Sequence, residues 1–205
     1  MRAADVLAVV PAGGTARRLG GGDKTALDVG GRTILDRVLD ATAAWPRVVV
    51  ADDPGPAAHA RHPGVHWVRE DPPGGGPAAA LAAGAATAPD ASVLVALAGD
   101  QPWAGIVVPR LLEALDAHPD AGAALAVGAS GRRQPLLAAY RLDAVRHVLA
   151  GGAHNLPARA LAEGLEIVEV PVTDVEELDV DTPADLARAR AAEPSGPRDS
   201  APRSR

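Results

Sequence analysis

Apolar and polar positions along this chain follow two regimes. Short continuous apolar runs recur at Val6–Val10, Val48–Ala51, Val65–Val68, Val93–Ala98, Ala123–Val127, Leu136–Tyr140 and Leu165–Val170. Rich in Val and flanked by Gly, Pro and Asp, they read as β-strands. Between most of them the apolar positions take up helical spacing. Ile34, Leu35, Val38, Leu39 and Thr42 mark one helix face, and Val107, Leu111, Leu112 and Leu115 mark another. Ala78–Ala86 reads as an Ala-rich helix, and Leu142–Leu149, Leu156–Ala162 and Pro183–Ala191 complete the set. The last has a helix-start signature: Thr182 as N-cap, Pro183 in the first turn and Asp185 near the positive end of the helix dipole.

Strands that alternate with helices and are apolar throughout predict an α/β fold of three layers, a mostly parallel sheet covered on both faces. Right-handed crossovers then bring every strand's C-terminal end to one edge, where such folds bind ligands. The 205 residues suit one domain over 1–192, followed by a disordered tail over 193–205 that is rich in Pro, Arg and Ser. No eighteen-residue apolar stretch occurs, so no membrane span is expected. The run Val6–Val10 is too short for a signal peptide and breaks at Pro11-Ala12-Gly13-Gly14, so the expected location is the cytoplasm.

Composition narrows the chemistry. With no Cys, the chain has no thiolate zinc site and no cysteine nucleophile. A formal charge of −6 and only three Trp and one Tyr, without Phe, argue against a nucleic-acid partner. The core has to be built from Ala, Val and Leu, which implies close approach of helices to the sheet.

The residues directly after each strand are therefore the informative ones. Pro11 to Lys24 is dense in glycine and carries Arg17, Arg18 and Lys24. Glycines let backbone N–H groups close on an anion, and Arg and Lys add charge-assisted contacts to phosphate. A P-loop would need Gly, not Asp23, before Lys24, and Thr15 stands where the Rossmann fingerprint needs its second Gly. Asp100 ends the most apolar strand, where a hard carboxylate oxygen suits Mg²⁺ shared with substrate phosphates; a capping role is the alternative. Asp179 and Asp181 lie two apart and so face the same way on an extended segment. Asp71 follows the third strand as a turn residue or a ligand contact. Asp52 and Asp53 lie too far from Gly13 for a Rossmann ribose contact and read as loop residues.

The segment Ala12-Gly13-Gly14, Arg18, Gly20, Asp23-Lys24 resembles the signature loop of nucleotidyltransferases that move an NMP from an NTP to a phosphorylated acceptor. The nearest resemblance is to the molybdenum cofactor guanylyltransferases, of the nucleotide-diphospho-sugar transferase fold type. It continues through Asp71, Gly76-Pro77-Ala78, Gly99-Asp100-Gln101-Pro102, Gln134-Pro135-Leu136 and Asp179-Val180-Asp181-Thr182-Pro183. The resemblance implies GTP and molybdopterin as substrates and Mg²⁺ as cofactor. It makes Lys24, Arg18 and Asp100 catalytic. Ala12, Gly13, Gly14, Thr15, Lys24, Asp71 and Asp100 would bind the nucleotide, Asp100 and Asp181 the metal, and Arg133, Gln134 and Pro135 the acceptor. Gly13-Gly14 favours GTP over CTP.

The chain departs from the family at Pro11, at Asp179 and Asp181 in place of Asn, and at His154-Asn155 where an acceptor-binding Arg is usual. A cytidylyl or sugar-phosphate nucleotidyltransferase is the enzymatic alternative. A non-catalytic nucleotide-binding protein that serves molybdoenzymes or cofactor chaperones is the alternative from another class.

Overall fold

The structure, a computed structural model, describes residues 2–13, 21–151 and 153–192. The expectations for Gly14, Thr15, Arg18 and the tail after residue 192 lie outside the described residues. Among those described, seven strands form one sheet in the order β5-β4-β1-β6-β8-β7-β9. They are β1 (Val6–Pro11), β4 (Arg47–Val50), β5 (Val65–Val68), β6 (Val93–Leu97), β7 (Ala123–Val127), β8 (Arg133–Arg141) and β9 (Ile167–Pro171). A small hairpin, β2 (Asp28–Val29) with β3 (Arg32–Thr33), stands apart from the sheet.

Both faces of the sheet are covered, which is why its central strands carry no polar alternation. Val6, Ala8 and Val10 pack into one apolar cluster with Val38 and Leu39 of α1 (Ile34–Ala41) and Leu111 and Leu115 of α4 (Val108–Ala117). Leu7 and Val9 enter the other, with Ala78 and Leu81 of α3 (Pro77–Ala85) and Leu142 and Val145 of α5 (Leu142–Ala150). β6 divides the same way, Val93, Val95 and Leu97 against Leu94 and Ala96. A third cluster joins Val29, Ile34 and Trp103 to Leu178, Val180 and Ala189, the last on α6 (Pro183–Ala191). The start of α6 is the one expected: Asp185 N–H donates to Thr182 Oγ1 at 3.2 Å and Thr182 N–H to Asp185 Oδ2 at 2.9 Å.

Three expectations change. β8 runs antiparallel to both β6 and β7, so its N-terminal end lies at the edge where the other strands finish. The reason is connection length: only Gly128–Arg132 separates β7 from β8, enough for a hairpin and too little for a parallel crossover. Second, Leu156–Ala162 is a short 3₁₀ turn at Ala158–Ala162 rather than an α-helix. Third, the pattern did not disclose α2 (Pro56–Arg61), a short helix with little apolar face.

Small residues set the distance between layers. Gly84 lies where α3 crosses β1, and a Cβ there would stand 2.4 Å from Val9 Cγ1. Gly84→Ala should lower stability by about 1–2 kcal/mol, overpacking outweighing the gain in helix propensity. Urea-unfolding midpoints measure this, and the loss should shrink in a Val9→Ala background, where the obstruction is gone.

Candidate functional site

The loops that follow β1 and β6 touch. Gly99 N–H donates to Pro11 O at 3.2 Å, and a Cβ at Gly99 would lie 2.8 Å from that oxygen and 3.2 Å from Thr25 Cγ2. Glycine at 99 is thus what lets the two loops approach. β8 joins them, since Ala98 N–H donates to Leu136 O at 2.9 Å. The segment before α6 closes the fourth side, with Val180 N–H donating to Asp100 O at 3.0 Å. The loops after β1 and β6 and the start of β8 line one small cavity of about 130 Å³, with Ala12, Lys24, Gly99, Asp100 and Leu136 in its wall.

Lys24 is aimed into this junction by a local device. Asp23 Oδ1 accepts from Thr25 N–H and Thr25 Oγ1, both at 2.8 Å, and so caps a 3₁₀ turn at Lys24–Ala26. The Lys24 ammonium then donates to Asp181 and lies 3.5 Å from Asp100 Oδ2. Burial alone would lower its pKa, but Asp181 and Asp100 outweigh burial and raise it, so the ammonium stays charged. Asp179 stands behind the pair. Burial, and then the charge of Asp100, push its carboxyl above the usual range, with Asp181 adding to the effect against a hydrogen bond from Gln101.

Gln101, 2% exposed, donates from Nε2 to Asp179 Oδ1 at 2.7 Å and to Glu177 O at 3.4 Å. Its Oε1 is buried without a partner among the described residues. Gln101 and Glu177 carry no motif signal of their own. The one sequence cue was the position of Gln101, beside Asp100 at the end of a buried strand. No group of three or more His, Asp or Glu residues among those described is arranged as a metal site. Asp100 and Asp181 are a pair of hard oxygen donors that share one cation, Lys24.

The remaining candidates are spread around this centre. Ala12 and Gly13 line both the junction and a larger cavity of about 460 Å³, or the larger cavity alone in the case of Gly13. Thr25, Asp52, Asp53 and Trp67 also line the larger cavity, so the two loop aspartates sit closer to the glycine turn than their spacing suggested. Asp71 is exposed past β5 and makes no hydrogen bond among the described residues. Arg133 is paired with Glu169 of β9 at 2.8 Å, and Pro135 O accepts from Tyr140 Oη at 2.8 Å. Gln134 faces a cavity of about 290 Å³ that Arg132, Glu177 and Arg188 also line. His154 and Asn155, in the loop after α5, lie against the turn before α3, where Asn155 N–H donates to Gly75 O at 2.7 Å.

A doubly covered α/β sheet whose glycine turn, cation and carboxylates meet at the strand ends defines a nucleotidyltransferase class of protein. The MobA-like NTP transferase domain model matches residues 8–167. The molybdenum cofactor guanylyltransferase of Rhodopseudomonas palustris (strain BisB5) is 34% identical over 196 residues, 89% of this chain and 91% of that one. The solved molybdopterin-guanine dinucleotide biosynthesis protein A of Archaeoglobus fulgidus superposes with a TM-score of 0.66 at 24% identity, over 90% of this chain and 97% of that one. A manganese complex of the Mycobacterium tuberculosis H37Rv protein Rv0371C superposes with a TM-score of 0.64 at 22% identity, over 91% and 98%. The chain belongs to the MobA-like NTP transferase family and is a nucleotidyltransferase. None of its described helices is long and apolar enough to cross a membrane.

The wall of the larger cavity contains an acid-sensitive contact. Asp36, which completes the N-terminal capping box of α1, lies 2.6 Å from His62 Nε2. Burial raises its pKa, but the hydrogen bonds from His62 and Thr33 outweigh this and hold it below the ordinary 3.8. A lowered carboxylate contributes stability that is complete above the unfolded-state pKa and lost as pH falls through the folded-state value. Asp36→Asn should therefore be less stable than the parent at neutral pH, and equal to it at a pH below the lowered folded-state value. Urea midpoints at the two pH values measure it.

Proposed function

We propose that this protein transfers GMP from GTP to the terminal phosphate of molybdopterin, releasing pyrophosphate. A single observation carries the reading: Lys24, Asp100 and Asp181 converge beside Ala12, although 76 and 157 residues separate Lys24 from its two partners. In the reaction an acceptor phosphate oxygen bonds to the α-phosphorus of GTP. The bond from that phosphorus to the bridging oxygen breaks, and pyrophosphate leaves with the electron pair. No protein group needs to be covalently modified, so the task is to position two anions and to offset their charge.

Each group of the site has a part in this. Lys24, charged throughout the neutral range, neutralises the triphosphate. The backbone N–H of Gly13, continuing through Gly14 and Thr15, lines the phosphates, and Arg18 adds a second cation; the Ala12 N–H is already given to Val50 O at 2.9 Å. Asp100 and Asp181 fit Mg²⁺, which takes one or two carboxylates and completes its shell with phosphate oxygens and water. When bound, it supplies Lewis-acid polarisation of the α-phosphoryl group and charge relief for the leaving pyrophosphate. The manganese complex of the structurally similar mycobacterial protein supports a divalent ion at this fold.

The cavity over Ala12 and Gly13 offers room for the nucleoside, and Asp71 at the same edge is available to its ribose or base. The acceptor approaches from the start of β8, where Gln134 and Pro135 lie and where Arg132 supplies positive charge, Arg133 being paired with Glu169. The printed functions of the relatives and the Gly13-Gly14 pair support GTP and molybdopterin as the substrates. The same reading places the protein in the cytoplasm, with molybdoenzymes or cofactor chaperones as recipients of its product.

A matrix of the four NTPs against molybdopterin, with Mg²⁺ and pyrophosphate release as readout, tests the proposal. GTP with molybdopterin should be the productive pair, and turnover with CTP alone would reassign the base. Lys24→Ala and Asp100→Ala should each lower turnover by at least about a hundredfold, the scale of one lost charge-stabilising contact. Near-parental rates would remove that residue from the mechanism.

A further inference from the structure

Asp181, which meets Lys24, lies with Asp179 on a segment outside the sheet, and something has to set its register against the strand ends. Leu178 and Val180 bury its apolar side in the third cluster. Its polar side is held at Asp179, which accepts from Gln101 at 2.7 Å, at the Val180 N–H, which donates to Asp100 O, and at Glu177. Glu177 Oε2 accepts from Nε2 of the buried Gln134, at the start of β8, at 2.7 Å. Glu177 O accepts from Gln101, at the end of β6. The rest of the carboxyl fills a notch after β7: a Cβ on Gly128 would stand 1.9 Å from Glu177 Oε1 and 2.3 Å from its Cδ. Gly128 has no positive φ, so the chain path does not call for glycine there; the space taken by Glu177 does.

We infer that Glu177 is a positioning residue, a clamp across the ends of β6, β7 and β8 that fixes Asp179 and Asp181 relative to Asp100 and Lys24. Its side chain also borders the cavity lined by Arg132, which raises a competing reading in which the carboxylate charge touches the acceptor directly. The two readings differ in what they need from the side chain. A clamp needs an acceptor oxygen for Gln134 and a group of the right shape for the notch, and glutamine supplies both. A charged contact needs the carboxylate.

The test has one arm that needs no ligand and one that rests on the transferase reading above. In the first, hydrogen–deuterium exchange follows the Val180 amide, which donates to Asp100 O at 3.0 Å. Glu177→Ala and Gly128→Ala should each speed its exchange at least about tenfold while β1 amides stay protected, and Glu177→Gln should match the parent. If β1 protection is lost in Glu177→Ala, Gln134→Ala removes only the donor and gives the same readout. In the second arm the alanine variants should lower kcat about 10–100-fold with the KM for GTP within about threefold, as for lost support behind metal ligands. The double variant Gly128→Ala/Glu177→Ala should be no worse than Glu177→Ala alone. Three results would overturn the clamp: Glu177→Gln as impaired as Glu177→Ala, parental Val180 exchange in Glu177→Ala, or additive losses in the double variant. A parent inactive toward GTP and molybdopterin, with the exchange pattern as expected, would sink the transferase reading and leave the clamp supported.

Discussion

One ammonium group between two carboxylates is the interaction on which this strand edge depends. Lys24, Asp100 and Asp181 come from three separate parts of the chain, and Asp179 lies directly behind them. Burial, and then the charge of Asp100, push the Asp179 carboxyl above its ordinary range. A single Lys cannot balance three carboxylates. In the proposed reaction, a triphosphate carrying a divalent cation brings the further positive charge.

Everything that brings these groups together is a matter of close approach. The β1 and β6 loops touch because residue 99 has no side chain, α3 lies tight on β1 because residue 84 has none, and Glu177 reaches into the sheet edge because residue 128 has none. A core of Ala, Val and Leu continues the theme, since small side chains let layers pack closely with few voids. The reversed strand β8 belongs to the same economy of space. Its short hairpin from β7 inserts it between β6 and β7, carrying Gln134 to the edge where the parallel strands end. A parallel crossover would have left that residue on the far side of the sheet.

The legible part of the fold was the part decided locally. Continuous apolar runs such as Val6–Val10 and Val93–Leu97 announce strands buried on both faces, and the Thr182-Pro183-Ala184-Asp185 start announces α6, because these preferences act over a few residues. The direction of β8 was not legible, since a run of apolar residues looks the same whichever way it lies. Nor was α2, whose six residues have almost no apolar periodicity. At the site, Asp100 stood out as a carboxylate ending a strand and Lys24 as a cation in a glycine-dense stretch, while the family resemblance marked Asp181. Gln101 and Glu177 did not, because a buried Gln and a notch-filling Glu gain their roles only from partners about 40 to 80 residues away.

Sequence alone thus determined the α/β class, the order of most elements and the chemical kind of each group at the strand ends, all of which follow from periodicity, turn chemistry and side-chain type. Tertiary structure decided which of those groups share a space. It paired Lys24 with Asp100 and Asp181, drew Arg133 to Glu169, and set Glu177 against Gly128. The physical reason is range: hydrogen bonds and charge contacts act over a few ångströms, and only the folded sheet brings residues so far apart in the chain within that distance.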